Sequence, residues 1–163
     1  NLLNFSRISG DKIEKINIFN FIENILELQN RILQKNNIEY EIVCNKGLVV
    51  DINQESLKHI IINLINNAMD AMEDGGKITI KAYEEENGIF LECIDTGVGI
   101  AKEDLEKIFN PFYTTKEPGK GTGLGLYIVY NEVKKLNGDI SVDSKLGEGT
   151  IFKLFIPISR EVV

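Results

Sequence analysis

Four glycines fall within seven residues, at positions 119, 121, 123 and 125, and the chain then runs straight into an apolar helical pattern. Glycine lets backbone approach a ligand closely and adopts angles that other residues avoid. A helix opening near Leu124 offers unpaired N–H groups and the positive end of its dipole, which suits phosphate. The run therefore fixes an order, loop then helix, with the loop free to touch an anion. A mobile turn has the same composition, so the decision falls to the rest of the chain.

At 163 residues the chain fits one domain and can bury a proper core. Lys and Arg number 18 against 25 Asp and Glu, a formal charge of −7, and no basic run is long enough for a nucleic-acid footprint. Neither DNA, RNA nor anionic lipid is expected as the main partner. The charge of a nucleotide would have to be met locally, by N–H groups, one or two lysines and a metal ion. Cys44 and Cys93 sit alone in apolar, strand-like runs, without CxxC or Cys/His metal spacing. Buried free thiols are expected, which fits a reducing, cytoplasmic setting for the domain. No apolar run approaches a membrane span and the start does not read as a signal peptide. It opens on Asn1-Leu2-Leu3 without Met and reads as a piece of something longer.

Residues 1–9 read as the end of an amphipathic helix with Leu2, Leu3, Phe5 and Ile8 apolar. Ile16 and Ile18 alternate with polar neighbours, as in a short strand. Asn20 and Glu23 have capping-box spacing, and Phe21, Ile22, Ile25, Leu28, Ile32 and Leu33 form the stripe of a core-facing helix. Residues 39–44 and 48–52 read as strands around a turn at 45–47. A second helix spans about 54–72, and a hairpin follows with strands 77–83 and 89–95. Residues 96–123 form a long Gly-, Pro- and Thr-rich loop, with a helical piece near 104–109; such loops are commonly lids. A third helix covers 124–136, and strands 139–143 and 150–158 flank the turn at Gly147 and Gly149. The expected fold is α/β: a two-layer sandwich with one mixed, mostly antiparallel sheet and three main helices on one face.

Asn63, Asn67 and Asp70 lie at i, i+4 and i+7 of the second helix and share a face. Amide oxygens facing a cavity can complete a magnesium shell otherwise built from water and phosphate, though a solvated polar stripe has the same pattern. Ile89, Leu91, Cys93 and Asp95 share a strand face, an apolar run ending in a carboxylate just before Thr96-Gly97-Val98-Gly99. Buried there, the carboxylate needs a donor, and a base amino group is one; a solvated Asp at a strand end is the plainer alternative. Phe109, Phe112 and Tyr113 could clamp a lid and leave Lys116 free for phosphate, or simply anchor a loop. His59, the only histidine, has no adjacent acid in sequence and is expected at the helix surface or a domain contact.

In this order the stretches resemble the ATP-binding catalytic domain of sensor histidine kinases, part of the larger group shared with gyrase, Hsp90 and MutL. Asn63-Leu64-Ile65-Asn66-Asn67-Ala68 resembles its N box and Asp95-Thr96-Gly97-Val98-Gly99 its G1 box. Residues 109–116 resemble the F box, residues 121–126 the G2 box, and Gly147-Glu148-Gly149-Thr150 a further glycine motif. The likeness covers nearly the whole chain from about residue 16. It implies that Asn67 ligands Mg²⁺ on the ATP phosphates and that Asn63 supports the phosphate site. Asp95 would accept from the adenine amino group, with Ala71, Gly97, Gly99, Ile100 and Thr150 around the base. Gly121, Thr122, Gly123, Leu124, Gly125 and Leu126 would hold the phosphates under a lid carrying Phe112, Thr115 and Lys116. The resemblance assigns Asn63, Asn67 and Lys116 to catalysis, and residues 10–163 to the domain, with 1–9 the end of the preceding dimerisation helix.

The implied reaction moves the γ-phosphoryl group of ATP to a histidine on a dimerising hairpin that is expected outside this chain. The intact protein would be a homodimer serving a response regulator, and the fragment alone a monomer. ATP-hydrolysing members of the larger group carry Glu where this chain has Asn63, and an amide cannot act as a general base. Many sensor kinases have Lys where this chain has Asp70, which shifts work to Lys116 or Lys120. The Asp-Ala-Met and Thr-Thr-Lys forms resemble the nitrogen-regulation and sporulation subgroups.

Overall fold

A computed structural model describes residues 12–114 and 123–158. The expected helix at 1–9 lies outside them, as do Thr115, Lys116, Lys120, Gly121 and Thr122. Seven strands lie among the described residues: β1 (Ile13–Asn17), β2 (Ile38–Cys44), β3 (Val49–Asn53), β4 (Gly76–Glu85), β5 (Gly88–Asp95), β6 (Asp139–Lys145) and β7 (Gly149–Pro157). Helices α1 (Ile18–Leu28), α2 (Asn30–Lys35), α3 (Gln54–Asp70) and α4 (Gly125–Lys135) complete the described elements, apart from one 3₁₀ turn at Lys102–Asp104.

Five strands form one sheet in the order β2-β4-β5-β7-β6. Only β2 and β4 run parallel, so the sheet is mixed and mostly antiparallel, as expected. Alternation fixes which face is buried. Ile78, Ile80 and Ala82 of β4, Ile89, Leu91 and Cys93 of β5, and Phe152, Leu154 and Ile156 of β7 all enter the core. The helices bring Ile22, Leu26, Leu33, Ile60, Ile61, Leu64, Ile65, Val129 and Val133 to the same cluster. The opposite sheet face carries Tyr83, Phe90 and Phe155, with ring centroids 5.3 and 4.9 Å apart, and the Lys153 ammonium above Phe90.

The strands flanking the 45–47 turn do not pair with each other. β2 joins the main sheet beside β4, while β3 pairs antiparallel with β1 in a separate two-stranded sheet. The first helix also starts earlier than its pattern suggested. Asn17, not Asn20, is its cap, and the Asn17 Oδ1 accepts the Asn20 N–H at 3.0 Å. Ile18 is then the first helical residue and fully buried. The helix breaks at Gln29, so the stripe shifts: Ile18, Ile22, Ile25 and Leu26 are buried, whereas Leu28 is 86% and Ile32 53% exposed. Cys93 is buried, and burial pushes its thiol pKa up to about 12, whereas Cys44 is only partly covered. Both are free.

Candidate functional site

A cavity of about 340 Å³ opens where the C-terminal end of α3 meets the loop after β5, the β6–β7 turn and the start of α4. Asn67, Ala71, Gly99, Ile100, Gly123, Gly125, Leu126 and Thr150 line it, eight of the expected site residues. They converge from four separate chain segments because each sits near the end of an element on one edge of the sandwich.

Beneath this wall lies Asp95, the last residue of β5 and only 4% exposed. Burial pushes its carboxyl above the usual carboxylate range, and the backbone N–H groups of Gly97 and Thr150 partly reverse that shift. The Gly97 N–H donates to Asp95 Oδ1 at 2.8 Å, and Thr150 faces Asp95 across the β5–β7 ladder. The solvated alternative for this residue is therefore wrong: the carboxylate is covered and held by fixed donors.

The loop after Asp95 is stitched down by backbone. Val98 N–H donates to the Ala71 carbonyl at 3.0 Å, and Gly147 N–H donates to the Val98 carbonyl at 2.8 Å. Gly99 lies at φ +77, where a Cβ would run into the Lys145 carbonyl. Changing Gly99→Ala is expected to lower stability by about 2 kcal/mol or more in urea unfolding, because strain and clash add. Gly97 borders a second, more open groove of about 940 Å³ that shares Asp70, Ala71 and Val98 with the first and is lined also by Glu73 and Asp74.

Asn63 sits one turn before Asn67, but its Nδ2 donates back to the His59 carbonyl at 2.7 Å. A Cβ on Gly125 would lie 3.5 Å from Asn63 Oδ1, so the amide oxygen borders the start of α4. Leu124 is the residue just before α4 and accepts from Ile128 N–H at 2.8 Å. His59 is half exposed, as expected at a helix surface, with its Nδ1 3.6 Å from Glu132 Oε1 on α4. That acid is remote in sequence and could not be read from it.

The three loop aromatics have separate roles. Phe109 packs on Tyr130 and Phe152, with centroids 5.8 and 6.3 Å apart, and anchors the loop to the core. Tyr113 donates its hydroxyl to Asp104 Oδ1 at 2.6 Å, which raises the phenol pKa, and both residues line the cavity. Phe112 is 73% exposed and holds φ +67, with its N–H donating to the Gly123 carbonyl at 2.9 Å. Gly123 itself has φ +71, and a Cβ there would strike the Phe112 backbone. Residues 112 and 123 are thus tied together.

Sequence reasoning missed Asp104, Val98, Leu146 and Ser144. Ser144 bonds the Ile100 N–H and contacts Thr150, joining the loop to the last two strands. Among the described lining residues are two carboxylates, Asp70 and Asp104, and no Lys or Arg. A polyphosphate entering here needs a cation, and an amide oxygen such as that of Asn67 suits Mg²⁺.

A buried carboxylate, a backbone-stitched loop and a helix start around one cavity define a nucleotide-binding domain of the two-layer α/β kind. A family model described as histidine kinase-, DNA gyrase B-, and HSP90-like ATPase matches residues 52–160. Sensor kinase CckA of Brucella abortus (strain 2308) is 38% identical over 172 residues, covering 96% of this chain and 18% of CckA. Sporulation kinase A of Bacillus subtilis (strain 168) is 41% identical over 111 residues, covering 68% of this chain and 18% of that protein. The solved catalytic domain of histidine kinase ThkA matches with a TM-score of 0.80 at 30% identity, covering 90% of this chain and 96% of that one. The chain belongs to the histidine kinase-, DNA gyrase B- and HSP90-like ATPase family, and is an ATP-binding catalytic domain of the histidine kinase type. It spans about a fifth of the length of CckA and of sporulation kinase A. No helix among the described residues is long and apolar enough to cross a membrane.

Proposed function

We propose that residues 10–163 supply the ATP-binding half of a histidine phosphotransfer reaction. The γ-phosphoryl group would pass from ATP to an imidazole nitrogen of a dimerising hairpin, the bond to the β-phosphate oxygen breaking as ADP leaves. A response regulator would then take the group in the intact protein, a homodimer. Supporting this, the relatives CckA and sporulation kinase A are named as kinases.

Asp95 would accept from the adenine amino group, while Ala71, Gly97, Gly99, Ile100 and Thr150 shape the base pocket. Asn67 would hold Mg²⁺ against the phosphates, and that ion would supply the positive charge that the described wall lacks. Asn63 would support the same end. Gly123, Leu124, Gly125 and Leu126 would present backbone to the phosphates at the start of α4. Gly121, Thr122, Thr115 and Lys116 join the phosphate site, and Phe112 the covering loop, on the sequence motifs. The protein's contribution is positioning and charge neutralisation.

The observation that carries transfer over hydrolysis is Asn63. It occupies the position from which a carboxylate would activate water, and its amide is bonded to its own helix. Mixing the chain with a separately made acceptor hairpin and labelled ATP is expected to give an acid-labile phosphohistidine. Steady phosphate release without acceptor, and no labelled hairpin, would point instead to a hydrolytic clamp of the same fold.

A further inference from the structure

Ser144 lies on β6 on the same strand face as Ile140 and Val142, just before the turn that leads to Thr150. Its Oγ meets three polar groups: Ile100 N at 2.8 Å, Gly149 O at 2.9 Å and Thr150 Oγ1 at 2.8 Å. A serine hydroxyl has one proton. The Ile100 N–H can only donate and the Gly149 carbonyl can only accept. The Ser144 proton therefore goes to Gly149; turned toward Thr150, it would leave two lone pairs facing each other at the carbonyl. Thr150 must then donate to Ser144, which uses its only proton.

We propose that Ser144 is a positioning residue for base selection: its hydroxyl relay turns Thr150 into an acceptor on the cavity side, so that the pocket beside Asp95 reads an amino group and rejects a carbonyl. This rests on the nucleotide reading above. Thr150 lines the cavity and is 3% exposed, and Asp95 opposite it is 4% exposed. An ionised carboxylate offers only acceptors, so both buried polar side chains present lone pairs. The 6-amino group of adenine brings two protons to them. A 6-oxo purine brings another lone pair, and unpaired buried polar groups are what discriminate strongly between near-isosteres.

The test is titration of this chain, in Mg²⁺, with ATP and with inosine triphosphate, which carries oxo in place of amino at the 6 position. Wild-type protein is expected to prefer ATP. Ser144→Ala frees the Thr150 hydroxyl to rotate and donate, and should narrow the preference about tenfold, the weight of one neutral hydrogen bond. Ser144→Thr keeps the hydroxyl and should keep the ratio. If Ser144→Ala does not fold, Ser144→Cys, with a poor acceptor and donor, should show the same narrowing. An unchanged ratio, or equal loss of both nucleotides, means Ser144 only braces the loop and overturns the proposal. Wild-type protein that binds neither triphosphate overturns the nucleotide reading as well, a result separate from any behaviour of the variants.

Discussion

Asn67→Ala is expected to reduce phosphotransfer by on the order of a hundredfold or more, since on the proposed reading it removes the amide that holds the cation against the reacting phosphate. The described cavity wall has carboxylates at Asp70 and Asp104 and no positive side chain, so binding of the triphosphate leans on the cation that Asn67 is proposed to hold. Calorimetry should show wild-type affinity dropping when the divalent ion is chelated. The variant should bind equally weakly with and without it. Alanine is a better helix former than asparagine, so α3 should be no less stable and unfolding in urea serves as the control. Undiminished ion-dependent binding by the variant would remove Asn67 from the metal role.

Asp95→Asn should weaken ATP binding about ten- to a hundredfold, the range for losing a charge-assisted hydrogen bond, without unfolding the domain. The empty domain should respond in the opposite direction to pH. Burial raises the Asp95 pKa in the folded state above its unfolded value, so the folded chain holds its proton to higher pH. Between the two values the folded state binds more protons than the unfolded state, and this residue's contribution to stability falls as pH rises through that window. Asparagine does not titrate, so the variant should lose that slope in mildly acid solution. Thermal unfolding from pH 4 to pH 7 reads the difference. An unchanged affinity for ATP would take Asp95 out of the base pocket.

Much of the sandwich was legible because strand and helix periods are local. Ile89, Leu91, Cys93 and Asp95 alternate inward as spaced, and α3 shows its polar and apolar faces openly. Pairing is not local. The turn at 45–47 reverses the chain, yet β3 finds β1 and β2 finds β4, partners set by the core rather than by the turn. The break at Gln29 was hidden because Leu28 and Ile32, which the fold leaves in solvent, complete an apolar stripe with the buried Ile22, Ile25 and Leu33. In the site, residues carried by glycine motifs were readable, since close backbone approach demands that residue type. Ser144 was not, because it meets Ile100 and Thr150 from another strand, and the Tyr113–Asp104 pair was not, because no period within the long loop marks which of its residues meet.

The loop after β5 is held by its backbone, through Ala71 and Gly147, while the Val98 side chain is 66% and that of neighbouring Leu146 67% exposed. Surface positions whose side chains the fold does not use tolerate substitution at a cost usually within about 0.5 kcal/mol. An inhibitor that gains its affinity by leaning on Val98 and Leu146 at the cavity rim would therefore meet residues free to drift, and resistance there would come cheaply. One that addresses Asp95 would confront a group that, on the proposed reading, the domain cannot change without losing its own ligand.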